Sequence, residues 1–172
     1  MKSKGKIILG IDPGSTIIGF GILRFFDNDT KPSVVEYGYI DLSEHKSKET
    51  KLLNLSKDLN SIIKKHKPSS IAVESLFFFK NAKTFTAVCE SKGVIILCAA
   101  LNNTSVYEYT PLQVKQTISG YGKSSKQVIE KLIQTSLNID SRIKPDDTSD
   151  ALAIALCHFF HSKLYNHKTN KK

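Results

Sequence analysis

Ile7-Ile8-Leu9-Gly10-Ile11 is a near-continuous apolar run that ends directly in Asp12. A run without polar alternation reads as a central strand buried on both faces of a sheet. Pro13-Gly14-Ser15 then turns the chain. A carboxylate is therefore held at the very end of a buried strand.

The elements that follow are consistent with that start. Residues 17–24 read as a second strand, paired with the first as a hairpin, and residues 34–40 as a third. Leu52, Leu55, Leu59, Ile62 and Ile63 fall at helical spacing within a helix over 49–65. Ile71-Ala72-Val73 is a short buried strand that delivers Glu74 at its end. A long helix is expected over 81–102, although Gly93 and the β-branched Val94-Ile95-Ile96 weaken its middle. Residues 106–109 form a fifth strand. Pro111 opens a short helix to 118, and Ser124 or Ser125 caps another that runs to 137. A last helix covers 147–165. The order predicts an α/β domain: a mixed five-stranded sheet, antiparallel in the hairpin region and parallel where helices intervene, with helices on both faces. One domain spans 1–165, and 166–172 is expected to be a basic, disordered tail.

Charge narrows the partners. The 172 residues carry 25 Lys and Arg against 16 Asp and Glu, a formal charge of +9, with a pI of about 9.4. That excess points to a polyanion, with a lysine-rich solvated surface as the plainer alternative. The only arginines are Arg24 and Arg142. Lysine meets phosphate as a point charge and seldom reads a base edge, so backbone binding is expected over strict sequence reading. Cys89, Cys98 and Cys157 sit among apolar neighbours and read as reduced core residues. No apolar run approaches the ~20 residues of a membrane span, and the basic start leads into too short an apolar stretch for a secretion signal. The expectation is a cytoplasmic protein with no membrane partner.

The acidic residues carry the chemistry. Asp12 and Glu74 each end a buried strand, and Asp147 and Asp150 open the last helix at i, i+3, on one face. Open α/β sheets bind ligands beyond the carboxyl ends of parallel strands. Carboxylates gathered there repel and raise one another's pKa values, which a divalent cation relieves. Oxygen-only donors suit Mg²⁺ or Mn²⁺. Two such ions about 4 Å apart can activate a water, hold a scissile phosphate and stabilise the leaving oxygen. Plainer readings exist: Asp12-Pro13-Gly14 as a turn, and Asp147-Thr148-Ser149-Asp150 as a helix start favoured by the macrodipole. Glu74 is harder to explain without a partner, because a buried lone charge is costly. His158 and His161 lie at i, i+3 with no third nitrogen or sulfur ligand nearby in sequence, so packing or surface roles are expected.

Four segments resemble the RuvC crossover junction endodeoxyribonucleases, in order and over nearly the whole chain. They are Ile8-Leu9-Gly10-Ile11-Asp12-Pro13-Gly14-Ser15 with Gly19-Phe20-Gly21, then Ile71-Ala72-Val73-Glu74 with Phe77 and Lys80-Asn81-Ala82. Gln113-Val114-Lys115-Gln116-Thr117 with Gly120-Tyr121-Gly122 follows, and Asp147-Thr148-Ser149-Asp150 running to Ala155 comes last. The resemblance implies an RNase H-like fold, a homodimer and Mg²⁺-dependent cleavage of Holliday junctions in recombination and repair, with two ions per site and Mn²⁺ as a substitute. It implies two symmetric nicks leaving 5′-phosphate and 3′-hydroxyl ends, and work alongside the RuvA and RuvB branch-migration proteins. It carries catalytic, metal-holding roles to Asp12, Glu74, Asp147 and Asp150; the third position is the least fixed, since a histidine can stand there. It also marks Phe77, Lys115 and Lys126 as DNA contacts. Phe77 begins Phe77-Phe78-Phe79, and an exposed ring there could stack on an unpaired base for ~1–3 kcal/mol.

Three rival readings use the same residues. Asp12-Pro13-Gly14-Ser15-Thr16 also looks like the phosphate loop of the actin and sugar-kinase superfamily, but those proteins need a second such half, which 172 residues do not supply. An RNase H-like nuclease acting on RNA–DNA hybrids would carry identical carboxylates. A junction-binding protein without activity would have no need to keep all four.

Overall fold

Side-chain alternation along the central strands decides which helix covers which face. The computed structural model describes residues 5–76 and 82–169. In β1 (Lys6–Asp12), Ile8 turns to one face while Leu9 and Ile11 turn to the other. β2 (Ile17–Phe25), β3 (Ser33–Asp41), β4 (Ser70–Glu74) and β5 (Ser105–Tyr109) complete a sheet of order β3-β2-β1-β4-β5. β1 pairs antiparallel with β2, and β2 with β3, while β1–β4 and β4–β5 are parallel. The five-stranded mixed sheet is the one the sequence predicts.

On one face Leu9, Ile11, Ile22, Ile71 and Val73 meet Leu55, Leu59 and Ile63 of α1 (Lys48–His66) and Ile95, Cys98 and Ala99 of α2 (Ala82–Leu101). On the other, Ile8, Leu23, Phe25 and Ala72 meet α3 (Pro111–Ser119), α4 (Lys126–Leu137) and α5 (Asp146–Thr169). Each fully buried Ile or Leu contributes roughly 1.5–3 kcal/mol of transfer free energy. The helices start within a residue of where the sequence places them, and Ser125, one of the two caps expected, is the one used. Ser47 and Ser125 accept from backbone N–H groups at Thr50 and Val128, and Thr110 forms a capping box with Gln113 just before Pro111.

α5 lies unusually close to the hairpin. A Cβ on Gly19 would fall 1.9 Å from the Asp147 carbonyl oxygen, and one on Gly10 would fall 2.3 Å from that of Ala151. Only glycine admits a helix backbone at that range. Thr148, fully buried, also donates its Oγ1 hydrogen to the Gly38 carbonyl at 3.1 Å, pinning the start of α5 to β3.

Two expectations are corrected. α5 begins at Asp146 and continues through Thr169, past the helix end expected at 165. Nothing there stops it, since Tyr165-Asn166-His167-Lys168 contains neither Gly nor Pro. α2 also contains an apolar stretch, Thr84–Leu101, of mean hydropathy 1.6, long enough by length and composition to cross a membrane. Its charges, Glu90 and Lys92, pair with Lys48 at 2.9 Å and Glu108 at 2.6 Å, and its inner side packs on α1. Ile96, Leu97 and Leu101 remain exposed.

Candidate active site

The parallel register of β1 and β4 sets Ile11 beside Val73, so the next residues, Asp12 and Glu74, end the two strands side by side. Both side chains continue the α5 face, two residues beyond Gly10 and Ala72. α5 adds Asp147 and Asp150 from its first turns. The glycine contacts therefore do more than pack the core. They lower this helix start onto the strand tips.

The electrostatics record the crowding. The Asp12 carboxyl is pushed up to about 8, first by burial and then by Glu74, Asp150 and Asp147, with Lys126 opposing. Glu74 is also raised, by burial and then by Asp150, while Lys115, Lys126 and Lys92 pull it down. Lys126 Nζ lies 2.8 Å from Asp150 Oδ2 and 3.4 Å from Asp146 Oδ2. Although burial works against its charge, its hydrogen bond to Asp150 holds its pKa above that of an ordinary lysine. Glu74, Lys115, Lys126 and Asp150 line one cavity of about 200 Å³, backed by Val114, Ile129 and Ile154. Acidic groups and lysines thus share a pocket with an apolar wall.

The donor set consists of carboxylate oxygens, which suits a hard divalent cation. Among the described residues no three such groups stand close enough to hold an ion as placed. Lys126 supplies the compensating charge instead. Asp12, with its carboxyl raised to about 8, is the group that a cation would relieve most.

All four carboxylates singled out in the sequence reach this edge, and Lys115 and Lys126 line the same cavity. Phe77 lies outside the described residues. Sequence reasoning missed Asp146 and Lys92, which act on Lys126 and Glu74 through space. It also missed the structural use of Gly19 and Gly21, although glycines two apart on one strand face are a legible sign of close backbone approach. His158 packs, as expected: Nδ1 is 2.7 Å from Tyr109 Oη and Nε2 2.9 Å from Ser70 Oγ.

A mixed sheet of this order, with acidic residues on adjacent tips of its central parallel strands and on a helix laid across them, defines an RNase H-like nuclease. More particularly, the chain belongs to the RuvC family: the model described as "Crossover junction endodeoxyribonuclease RuvC" matches residues 8–158. The crossover junction endodeoxyribonuclease RuvC of Caldicellulosiruptor saccharolyticus is 46% identical over 155 residues, covering 90% of this chain and 93% of its own. That of Fusobacterium nucleatum is 43% identical over 165 residues, covering 95% and 86%. Among solved structures, Thermus thermophilus RuvC in complex with a Holliday junction substrate superposes with a TM-score of 0.87 at 26% identity, over 92% of this chain and 96% of that one. The yeast mitochondrial Holliday junction resolvase, at 17% identity and a TM-score of 0.70 over 94% and 81%, shares the fold.

Proposed function

We propose that this chain resolves Holliday junctions in recombination and repair, as a structure-selective endonuclease making two symmetric nicks with 5′-phosphate and 3′-hydroxyl ends. The observation that carries the reading is the pairing of Asp12 and Glu74 on adjacent strand tips beneath Asp147 and Asp150, beside Lys115 and Lys126, in a chain of this family.

Asp12, Glu74, Asp147 and Asp150 would hold Mg²⁺, two ions per site, with Mn²⁺ able to substitute. Bound there, the metal supplies Lewis acidity towards a phosphodiester and a water of lowered pKa. Lys115 and Lys126 draw the DNA backbone to the acidic edge, which would otherwise repel it. Lys126, already paired with Asp150, orients that carboxylate. The apolar wall of Val114, Ile129 and Ile154 limits water around the reacting phosphate and strengthens these charges. Phe77, directly beyond the Glu74 strand, stacks on a base near the crossover.

Two symmetric nicks call for two sites, hence a homodimer with twofold symmetry. The exposed Ile96, Leu97 and Leu101 on α2 are the surface we assign to it. The assembly acts in the cytoplasm with RuvA and RuvB.

A synthetic mobile four-way junction with labelled strands, incubated in Mg²⁺ and in EDTA beside duplex, single-stranded and RNA–DNA controls, tests the reading. Paired, ligatable nicks on the junction alone, and only with metal, are expected. Cleavage of the hybrid instead would move the function to RNA removal.

A further inference from the structure

A groove of about 360 Å³ lies between the β1–β2 turn and the starts of α1 and α2, on the face of the sheet away from α5. Ser15 and Thr16 of that turn form one wall, and Lys46, Lys48 and Lys51 at the start of α1 form another. The turn and the α1 approach are tied together, since Leu42 N–H donates to the Thr16 carbonyl at 2.8 Å. β3 runs parallel to β1, through β2, and ends at the same edge of the sheet, so α1 starts level with Asp12. α2, which forms the remaining wall through Thr84 and Ala87, starts at that edge too, following the tip of β4.

The groove is cationic. Lys48 pairs with Glu90 at 2.9 Å but stays 62% exposed. Among the described residues, Lys46 and Lys51 have no acidic partner within ion-pair distance. The lining holds three lysines against one glutamate, an excess of two positive charges, with Glu49 acting on Lys48 from just outside it. Ser15 and Thr16 add hydroxyls of the kind that donate to phosphate oxygens. Lys115 and Lys126 belong to the other face, so nothing in the cleavage site uses this cluster.

We propose that the groove lined by Lys46, Lys48 and Lys51 is a second binding site for the DNA phosphate backbone, holding the strand where it leaves the carboxylate edge across the Ser15-Thr16 turn. The inference rests on the nucleic-acid reading above and extends it to the α1–α2 face. The three lysines fix the substrate's path and carry no base reading. They do not touch the scissile phosphate.

Binding of a four-way junction to the full chain, measured from 50 to 200 mM salt without divalent metal, tests this. Each phosphate contact contributes a slope of about 0.9 in log K against log salt, so three contacts account for roughly 40-fold of the affinity lost over that range. Lys46→Gln/Lys48→Gln/Lys51→Gln should bind weakly at 50 mM and lose up to that much less than the parent on raising salt. A control with the same charge change further down α1, Lys57→Gln/Lys64→Gln/Lys65→Gln, should keep the parental slope. Equal slopes for the two triple variants would reduce the effect to net charge and overturn the site, as would a parental slope in both. Junction binding by the parent with no such difference sinks only the groove. Absence of DNA binding by the parent sinks the functional reading as well.

Discussion

Asp12 is the residue on which most depends. In the fold its carboxyl keeps a proton up to about pH 8, against an ordinary value of 3.8 in the unfolded chain. Between those values the native state binds more protons, so metal-free stability falls as pH rises. His158 acts in the opposite direction lower down. Burial holds it to about 4 against 6.5, so its contribution is lost as pH falls through that range. Well above pH 6.5 the histidine is neutral in both states and its effect is gone. Asp12→Asn should therefore gain on the parent in EDTA as pH rises, the gap between them widening by on the order of 2 kcal/mol from pH 6.5 to pH 8.5. Urea denaturation at the two pH values measures it, and a constant gap would contradict the raised carboxyl. The same variant should lose junction cleavage, keep junction binding, and lose the stabilisation that Mg²⁺ gives the parent. His158→Ala should cost about 2–4 kcal/mol at neutral pH, because it strands the buried Ser70 and Tyr109 hydroxyls.

At the scale of elements, the placement of α5 is the decisive fact. Gly19→Ala drives a methyl group into the Asp147 carbonyl region, and the helix start must lift. Overpacking of this kind costs roughly 1–3 kcal/mol. Here it also moves Asp147 and Asp150 away from Asp12, so cleavage should fall at least tenfold even at temperatures where circular dichroism shows the variant folded. Gly38→Ala is the comparison: its added carbon would meet only the Phe20 ring at 3.3 Å, and it should retain most activity. The elements themselves were readable because their signals are local. The Leu55-Leu59-Ile63 stripe of α1, Pro111 at the start of α3 and the apolar β1 run each announce themselves within a few residues. The end of α5 was not readable, since polar residues without Gly or Pro carry no stop signal.

For the whole molecule, the outer side of α2 carries the dimer proposal. Its outer side leaves Leu97 55% and Leu101 67% exposed, in a stretch apolar enough to seek cover. If that cover is a second copy of the chain, Leu97→Glu/Leu101→Lys should convert a dimer into a monomer in analytical ultracentrifugation, and should uncouple the two nicks on a junction. A parent that sediments as a monomer at micromolar concentration would remove the basis for that assignment.

The sequence by itself determined the elements, their order and the mixed sheet, because strand alternation, helical spacing and cap chemistry are written in residues two to four apart; it marked the four acidic positions as candidates, and their proposed roles came from the family resemblance. Tertiary structure alone decided how these parts act on one another. The β1–β4 register placed Asp12 beside Glu74, and the missing side chains of Gly10 and Gly19 let α5 descend onto them. Lys126 then came within reach of Asp150 and Asp146. Those relations depend on distances between segments far apart in the chain, and burial together with like charge, acting across those distances, is what raises the Asp12 carboxyl.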